Sequence, residues 1–234
     1  MVRLVVLGAS GRMGHEVLSQ IEQDGEVKLI ATVDPNGKTS AAQITDIDAT
    51  RCDGVIDFST PTVTLKTSKW CAQYKKFLVS GTTGLSLAQQ RALAVSAKKT
   101  PILWAPNLSL GVAAFKKALS ALSGLEGYDF QIEELHHKHK VDQPSGTAID
   151  LQKELVRVVG KKVPPPISIR GGGIKGVHRV WAMGEGEVLT FEHVALDRAI
   201  FARGAIKSAK WLFAQKKTSG LYSVEDLWES QNPN

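Results

Sequence analysis

An α/β fold is the architecture this sequence predicts: a doubly wound parallel sheet, followed by a second α+β domain containing a mixed or antiparallel sheet. Three observations carry the prediction. Short apolar runs alternate with helical periodicity from Val2 to Trp104, each run ends in a loop of Gly, Ser, Thr, Pro, Asp or Asn, and beyond Asn107 the alternation gives way to a hairpin pattern. Continuous apolar runs suit strands buried on both faces, and their alternation with helices implies parallel crossovers. Ligands of such sheets bind at the carboxyl ends of the strands. With 234 residues, 43% hydrophobic and 22% charged, the chain can bury a substantial core in one large or two modest domains.

Val2 to Leu7 is the first strand. It runs into Gly8-Ala9-Ser10-Gly11-Arg12-Met13-Gly14, after which Val17, Leu18 and Ile21 recur at helical spacing. Strand, glycine turn and helix in that order suit a phosphate: Gly8 and Gly11 let the backbone bend towards a pyrophosphate, Gly14 lets the helix lie close on the strand, and the helix N-terminus offers N–H groups. The next strand, 29–33, ends in Asp34, which follows Gly14 by 20 residues. That is the separation at which a Rossmann-like dinucleotide domain keeps the acid that accepts the ribose hydroxyls. The glycines are spaced GxxGxxG rather than GxGxxG, so it is the strand before, the helix after and Asp34 that make the turn a cofactor site.

The alternation continues. Residues 55–58 form a strand ending in Ser59-Thr60-Pro61, which reads as turn punctuation, and a helix follows through Trp70 and Cys71. Residues 77–79 end in Ser80-Gly81-Thr82-Thr83-Gly84, with Ser86 placed to cap a helix over 87–98. The strand 102–104 then ends in Ala105-Pro106-Asn107. In the second half, 112–122 reads as a helix and 128–135 as a strand. A further helix over 147–159 has an apolar face built from Ile149, Leu151, Leu155 and Val158. Pro164-Pro165-Pro166 is a stiff connector. Residues 167–180 mix extended residues with Arg170, three glycines, Lys175, His178 and Arg179, and Gly184-Glu185-Gly186-Glu187 reads as a hairpin turn into 188–194. Asp197 to about Gln215 is helical, and a short amphipathic piece, 223–228, closes the chain.

A formal charge of +6 favours anionic partners, whether nucleic acid, phosphorylated cofactors or small polycarboxylates. Cys52 and Cys71 form neither a CxxC pair nor a disulfide framework. The apolar start runs straight into glycines without a signal-peptide pattern, and no window approaches the roughly 18 apolar residues of a membrane span. A cytoplasmic location is expected, with no membrane partner.

Half of the six histidines and two lysines crowd into His136-His137-Lys138-His139-Lys140, followed by Pro144 and the helix opening Ser145-Gly146-Thr147. Three chemistries compete for this stretch. As a metal site it would use His137 and His139, which share a face if the segment is extended, but it lacks a clear third ligand and carries adjacent lysines. As a nucleic-acid surface it lacks aromatic interleaving. As a proton-transfer and anion site it has an imidazole that donates near neutral pH, a lysine four residues on, and backbone and hydroxyl donors at a helix start. The last combination describes a receptor for a small dicarboxylate that is protonated during reaction. It needs no metal and no nucleic acid.

Gly8-x-x-Gly-Arg-Met-Gly14, Gly81-Thr-Thr-Gly84, Ala105-Pro-Asn-Leu-Ser-Leu-Gly-Val112 and Glu134-x-His-His-Lys-His-Lys-Val-Asp-x-Pro-Ser-Gly-Thr147 together resemble the 4-hydroxy-tetrahydrodipicolinate (dihydrodipicolinate) reductase family. The resemblance runs over essentially the whole chain in order. It implies a cytoplasmic enzyme of lysine and diaminopimelate biosynthesis that uses NADH or NADPH to reduce a cyclic dicarboxylate imine derivative to tetrahydrodipicolinate. On this sequence it implies His136 as proton donor or acceptor and Lys140 as second proton donor, with His137, Gly146 and Thr147, beside Ser145 at the helix start, binding substrate. It gives the cofactor to Gly8, Ala9, Ser10, Gly11, Arg12, Met13, Asp34, Gly81, Thr82, Thr83, Ala105, Pro106, Asn107 and Leu108. It further implies a dinucleotide domain over 1–107, a substrate-binding and oligomerisation domain over 108–202 that forms a homotetramer through its sheet, and C-terminal helices over 203–234 that return to the first domain. Pro35 follows Asp34 where relatives that use the 2′-phosphate well often carry a basic residue. NADH is therefore expected to serve at least as well as NADPH. The rival expectations are a related dehydrogenase of another dicarboxylate and a dinucleotide-sensing, nucleic-acid-binding protein.

Overall fold

The computed structural model describes residues 1–214 and 218–232. In chain order the strands and helices are β1 (Val2–Leu7), α1 (Arg12–Glu22), β2 (Val27–Val33), β3 (Gly54–Asp57), α2 (Pro61–Tyr74), β4 (Phe77–Ser80), α3 (Leu87–Ala97), β5 (Pro101–Trp104) and α4 (Leu110–Ala118). They continue with β6 (Asp129–His136), α5 (Gly146–Val159), β7 (Ile167–Arg170), β8 (Val177–Met183), β9 (Val188–Val194), α6 (Ala199–Ala214), β10 (Gly220–Tyr222) and α7 (Val224–Gln231). Two units result: Met1–Ser109 with the chain from Ala199 onward, and Leu110–Arg198. The second division precedes residue 203 because α6 begins at Ala199 and a continuous helix does not split between units. Gln215, the expected end of that helix, lies outside the described residues, as do 216–217 and 233–234 of the expected C-terminal segment.

The first unit is built on a six-stranded sheet in the order β10-β5-β4-β3-β1-β2, parallel throughout. The chain steps from β1 outward to β2 and then back across to β3, so the switch point lies between β1 and β3, where open α/β sheets form their ligand crevice. Leu4, Val5 and Val6 of β1 and Val55 and Ile56 of β3 are fully buried, as strands covered on both faces must be. Between β2 and β3 the chain makes only two 3-10 turns, Ile44–Asp46 and Ala49–Arg51, in place of a crossover helix. β10, among the described residues, is a strand that the sequence does not predict. Three residues carry no periodicity, and Gly220, Leu221 and Tyr222 become a strand by pairing with Pro101, Ile102 and Leu103 of β5.

The second unit is a four-stranded sheet in the order β7-β6-β8-β9, with β6 and β7 parallel and the other pairs antiparallel. One face packs on helices through Phe115, Phe130, Ile132, Leu151, Leu155 and Val180. The expected helix over 112–122 is α4 followed by a tighter 3-10 turn, Leu119–Leu122. Along β6 the inward row reads Phe130, Ile132, Glu134, His136, so a carboxylate and an imidazole continue the line of core residues. On the opposite face Ile167 and Ile169 of β7 and Val188 and Val194 of β9 are exposed. Among the described residues no helix is long and apolar enough to cross a membrane.

Candidate active site

The loops after β1, β2, β4 and β5, with the first two residues of α1, carry all the residues expected to hold a cofactor. Gly8 has φ +71°, and a Cβ there would come within 2.5 Å of the Phe58 carbonyl oxygen, so both conformation and space require glycine. Gly14 lies against the same turn: its Cβ would sit 2.2 Å from the Gly8 carbonyl oxygen. Gly11, expected to provide part of the bend, instead takes an ordinary extended conformation as the N-cap of α1. Having no side chain, Gly11 leaves the first N–H groups of that helix without a side-chain cap, which keeps them available to an anion. Ser10, Gly11 and Arg12 are exposed and Met13 half-buried, while Ala9 is buried beneath them. The Asp34 carboxylate accepts the Ser10 N–H at 3.2 Å and the Asn36 N–H at 2.9 Å, which joins the β2 end to the glycine turn.

The sequence offered no role for Asp57, the last residue of β3, although it organises this rim. It is wholly buried, and one oxygen accepts from the Ser59 N–H at 3.0 Å and from the Ser59 hydroxyl. The other accepts from the hydroxyls of Thr64 at 2.6 Å, Ser80 at 2.9 Å and Thr82 at 3.2 Å. A single carboxylate thus ties the β3 loop, the first turn of α2 and the end of β4. The Trp104 indole donates to the Thr82 carbonyl at 3.0 Å, and the Ala105 N–H to the Ser80 carbonyl at 3.1 Å, so the loop after β5 is fastened to the same place. Gly81 is packed on the Phe58 ring, Thr83 and Pro106 are exposed, Asn107 accepts the Ser109 N–H at 2.9 Å, and Leu108 is buried.

In the second unit His136 ends β6, and 137–140 form a turn rather than an extended segment, closed by the Lys140 N–H donating to the His137 carbonyl at 3.0 Å. That removes the shared face on which a His137–His139 metal pair was considered, although their ring centroids lie 6.3 Å apart. The turn returns Lys140 towards the strand, where its ammonium pairs with Asp142 at 2.8 Å. Lys138 and His139 are exposed.

Behind His136 lies a buried polar network. The His136 Nδ1 is hydrogen-bonded to one oxygen of Glu134. The other oxygen of Glu134 accepts from the Arg170 guanidinium at 2.6 Å and from the Ser145 N–H at 3.3 Å. Ser145 caps α5, its hydroxyl accepting the Ala148 N–H at 3.2 Å and lying 3.2 Å from Nε2 of His178. Both polar groups of Ser145 are therefore engaged inside the protein, and Ser145 supports the helix start rather than presenting its own hydroxyl to a ligand. Gly146 and Thr147, the first helical residues, are exposed and half-buried respectively. The His178 ring stands edge-on to His136 with centroids 5.2 Å apart.

Burial is the largest influence on these groups. It lowers the proton affinity of His136, against the opposing pull of Glu134, with Lys140 and Arg170 adding smaller lowering effects. For His136 the neighbouring positive charge is therefore secondary to desolvation. Burial acts to raise Glu134, but its bonds, the Arg170 bond foremost, outweigh this and hold it below the usual carboxylate range. Burial, then the neighbouring His136 and His193, lowers His178 to about 3, so it is neutral. Glu134, Arg170 and His178 escaped assignment from sequence because only the pairing of β6 with β7 and β8 assembles them. The available signal was the period of two along β6, which puts Glu134 on the same face as His136.

Comparison with known proteins covers both units. Residues 2–108 match the family model described as dihydrodipicolinate reductase, N-terminus, and residues 111–228 that described as dihydrodipicolinate reductase, C-terminus. A protein of Bdellovibrio bacteriovorus named 4-hydroxy-tetrahydrodipicolinate reductase is 42% identical over 226 residues, covering 97% of this chain and 96% of its own. One of the same name from Oleidesulfovibrio alaskensis is 36% identical over 257 residues, covering 97% and 99%. Among solved structures, a dipicolinate-bound dihydrodipicolinate reductase from a Paenisporosarcina species superposes with a TM-score of 0.81 at 24% identity over 97% of this chain and 99% of that one, a likeness of fold. The chain belongs to the dihydrodipicolinate reductase family.

Proposed function

We propose that the protein is a 4-hydroxy-tetrahydrodipicolinate reductase of lysine and diaminopimelate biosynthesis. It reduces a cyclic dicarboxylate imine derivative to tetrahydrodipicolinate with NADH or NADPH. The observation that carries this reading is the grouping, in a chain of that family, of His136 and the N-terminus of α5 on one buried carboxylate, Glu134, with the charge of Lys140 close enough to act on His136.

The first unit's rim suits the cofactor. A pyrophosphate needs close backbone approach and uncapped helix N–H groups, and the turn from Gly8 to Met13 offers both, with Gly81, Thr82, Thr83, Ala105, Pro106, Asn107 and Leu108 on neighbouring strand ends. When bound, the reduced nicotinamide supplies a hydride. Asp34 is placed to accept the adenosine ribose hydroxyls and repels a 2′-phosphate, for which only Arg12 and Lys38 are expected to compensate, both exposed. NADH is therefore at least as good a donor as NADPH, and a clear NADPH preference in side-by-side kinetics overturns that assignment.

The second unit's residues hold the substrate and move protons. His136 delivers the proton that the reduced imine system takes up as negative charge develops, and Lys140 binds a carboxylate and serves as second donor. His137, Gly146 and Thr147 bind the carboxylates, and Asp142 must give up Lys140 to the substrate. The protein works in the cytoplasm, which the free and buried Cys52 and Cys71 support, and as a homotetramer, which the exposed Ile167, Ile169, Val188 and Val194 on the uncovered sheet face support. The test is NADH consumption with freshly generated cyclic substrate, for wild type, His136→Ala and Lys140→Ala. Both variants should keep their fold and lose most turnover. Full activity in either removes its assigned role, and a wild type that oxidises no NADH overturns the reading as a whole.

A further inference from the structure

The inward face of β6 poses a physical problem. Phe130 and Ile132 are core residues, and the next position on the same face is Glu134, a carboxylate with 0% exposure. A buried ion pair seldom stabilises a fold more than apolar residues of the same volume would, so packing alone does not account for Glu134 and Arg170. What Glu134 alone provides is a fixed acceptor reached from three directions. Arg170 approaches from β7 and the Ser145 N–H from the start of α5, both onto one oxygen, while His136 Nδ1 meets the other.

The charge state of this carboxylate dictates the chemistry of the imidazole. Glu134 is ionised, since its bonds hold it below the usual carboxylate range, and an ionised carboxylate only accepts hydrogen bonds. The Nδ1 of His136 must therefore carry the hydrogen in both the neutral and the charged ring, which leaves Nε2 as the atom that takes up and releases a proton. Space is kept at that atom. A Cβ on Gly176 would lie 3.1 Å from Nε2, so glycine is what leaves its surroundings open. The charged and titratable groups facing the ring are Glu134 on its own strand, Arg170 from β7, His178 from β8 and Lys140 from the following turn, with His193 behind His178. Of these only Glu134 is negative.

We propose that Glu134 is the positioning residue of this site, holding His136 as the Nδ1–H tautomer so that Nε2 handles the proton, and anchoring the anion-binding start of α5 to the same carboxylate through the Ser145 N–H. One group thereby fixes both where the proton is given and where a substrate carboxylate is held. The proposal rests on the reductase reading for the identity of the reaction, and the assignment of the ring nitrogens can be tested without it.

The experiment uses the full-length protein, wild type and Glu134→Gln, in two measurements. Nitrogen-15 NMR of the imidazoles should show His136 of the wild type with hydrogen on Nδ1, and Glu134→Gln should lose that preference and protonate at lower pH. In the reductase assay the high-pH limb of kcat/KM should move down by a pH unit or more, with kcat at neutral pH reduced at least tenfold and NADH affinity unchanged. A uniform loss of activity with an unmoved limb means a purely structural role and overturns the proposal, as does Glu134→Gln with the wild-type profile. Should the variant fail to fold, the wild-type spectrum decides alone, because hydrogen on Nε2 in the neutral ring refutes the assignment. Absence of turnover by the wild type counts against the reductase reading and leaves the tautomer result standing.

Discussion

Replacing Gly14 by Ala tests whether the glycine turn is built for contact between helix and strand. The new Cβ would meet the Gly8 carbonyl oxygen at 2.2 Å and the Ala9 Cα and carbonyl carbon at 2.6 and 2.7 Å. All three are backbone atoms of the turn itself, so no side chain can swing away, and α1 must move off β1 by roughly an ångström to reach ordinary van der Waals separation. Overpacking of this kind costs about 1–3 kcal/mol, and rigid neighbours put it at the upper end. Against this, alanine in a helix gains about 1 kcal/mol over glycine. The net loss of about 2 kcal/mol corresponds to a fall in Tm of about 4–8 °C for a chain of this size. The same displacement carries the first N–H groups of α1 away from the turn, so the Kd for NADH should rise at least about tenfold, equivalent to about 1.4 kcal/mol. Calorimetry and NADH titration measure both effects, with Gly25→Ala as the control, since a Cβ there meets nothing within 4 Å. A Gly14→Ala protein with the wild type's Tm and affinity, or a control equally impaired, refutes the reasoning.

Three further outcomes follow from the geometry. Asp57→Ala leaves the Ser59 N–H and the hydroxyls of Thr64, Ser80 and Thr82 without their shared acceptor, and should weaken NADH binding and lower stability by about 2–3 kcal/mol, read from denaturant midpoints. His178 is neutral when folded, with its proton affinity lowered to about 3 from 6.5. Its contribution is thus intact above pH 6.5 and is lost as pH falls towards 3, at about 1.4 kcal/mol per pH unit, because only the unfolded chain takes up the proton. His178→Asn should flatten stability in that window, and an unchanged slope would show that other groups set it. Ile169→Glu puts a charge on the uncovered sheet face, and sedimentation should show a smaller species than the wild-type assembly, whereas identical sedimentation would place the interface elsewhere.

Elements that explain themselves locally were legible in the sequence. The apolar run of β1, the glycines after it and the helical spacing of Val17 and Ile21 each follow from a few adjacent residues, as does the Ser86 cap, whose hydroxyl accepts the Gln89 N–H at 3.3 Å. The acid His136 and its lysine were legible as a motif. The supports of the site were not, since Arg170 comes 36 residues after Glu134 and His178 comes 33 after Ser145, and only the pairing of β6 with β7 and β8, with the start of α5 laid against them, joins them. Asp57 shows the same limit in the first unit: Ser59, read as turn punctuation, Thr64 and Ser80, given no role, and Thr82, expected to hold cofactor, become the donors of one buried acceptor. β10 was hidden for the opposite reason, being too short to have a pattern until β5 offers it an edge.

The discontinuity of the first unit has a consequence for synthesis. Its sheet needs β10, and α6 packs back on α1, β3 and β4, yet these pieces follow the whole of Leu110–Arg198. Translating those intervening 89 residues takes about 4–18 s at about 5–20 residues per second, far longer than a helix or hairpin needs to form. During that interval the nascent first unit holds β5 as an open edge, the kind of surface that templates pairing with other chains. The second unit, contiguous in the chain, has no such wait. Chains arrested near residue 198 should accordingly be cleaved by protease within 1–109 while 110–198 resists, and equal protection of both would show that β1 to β5 closes without its late partners.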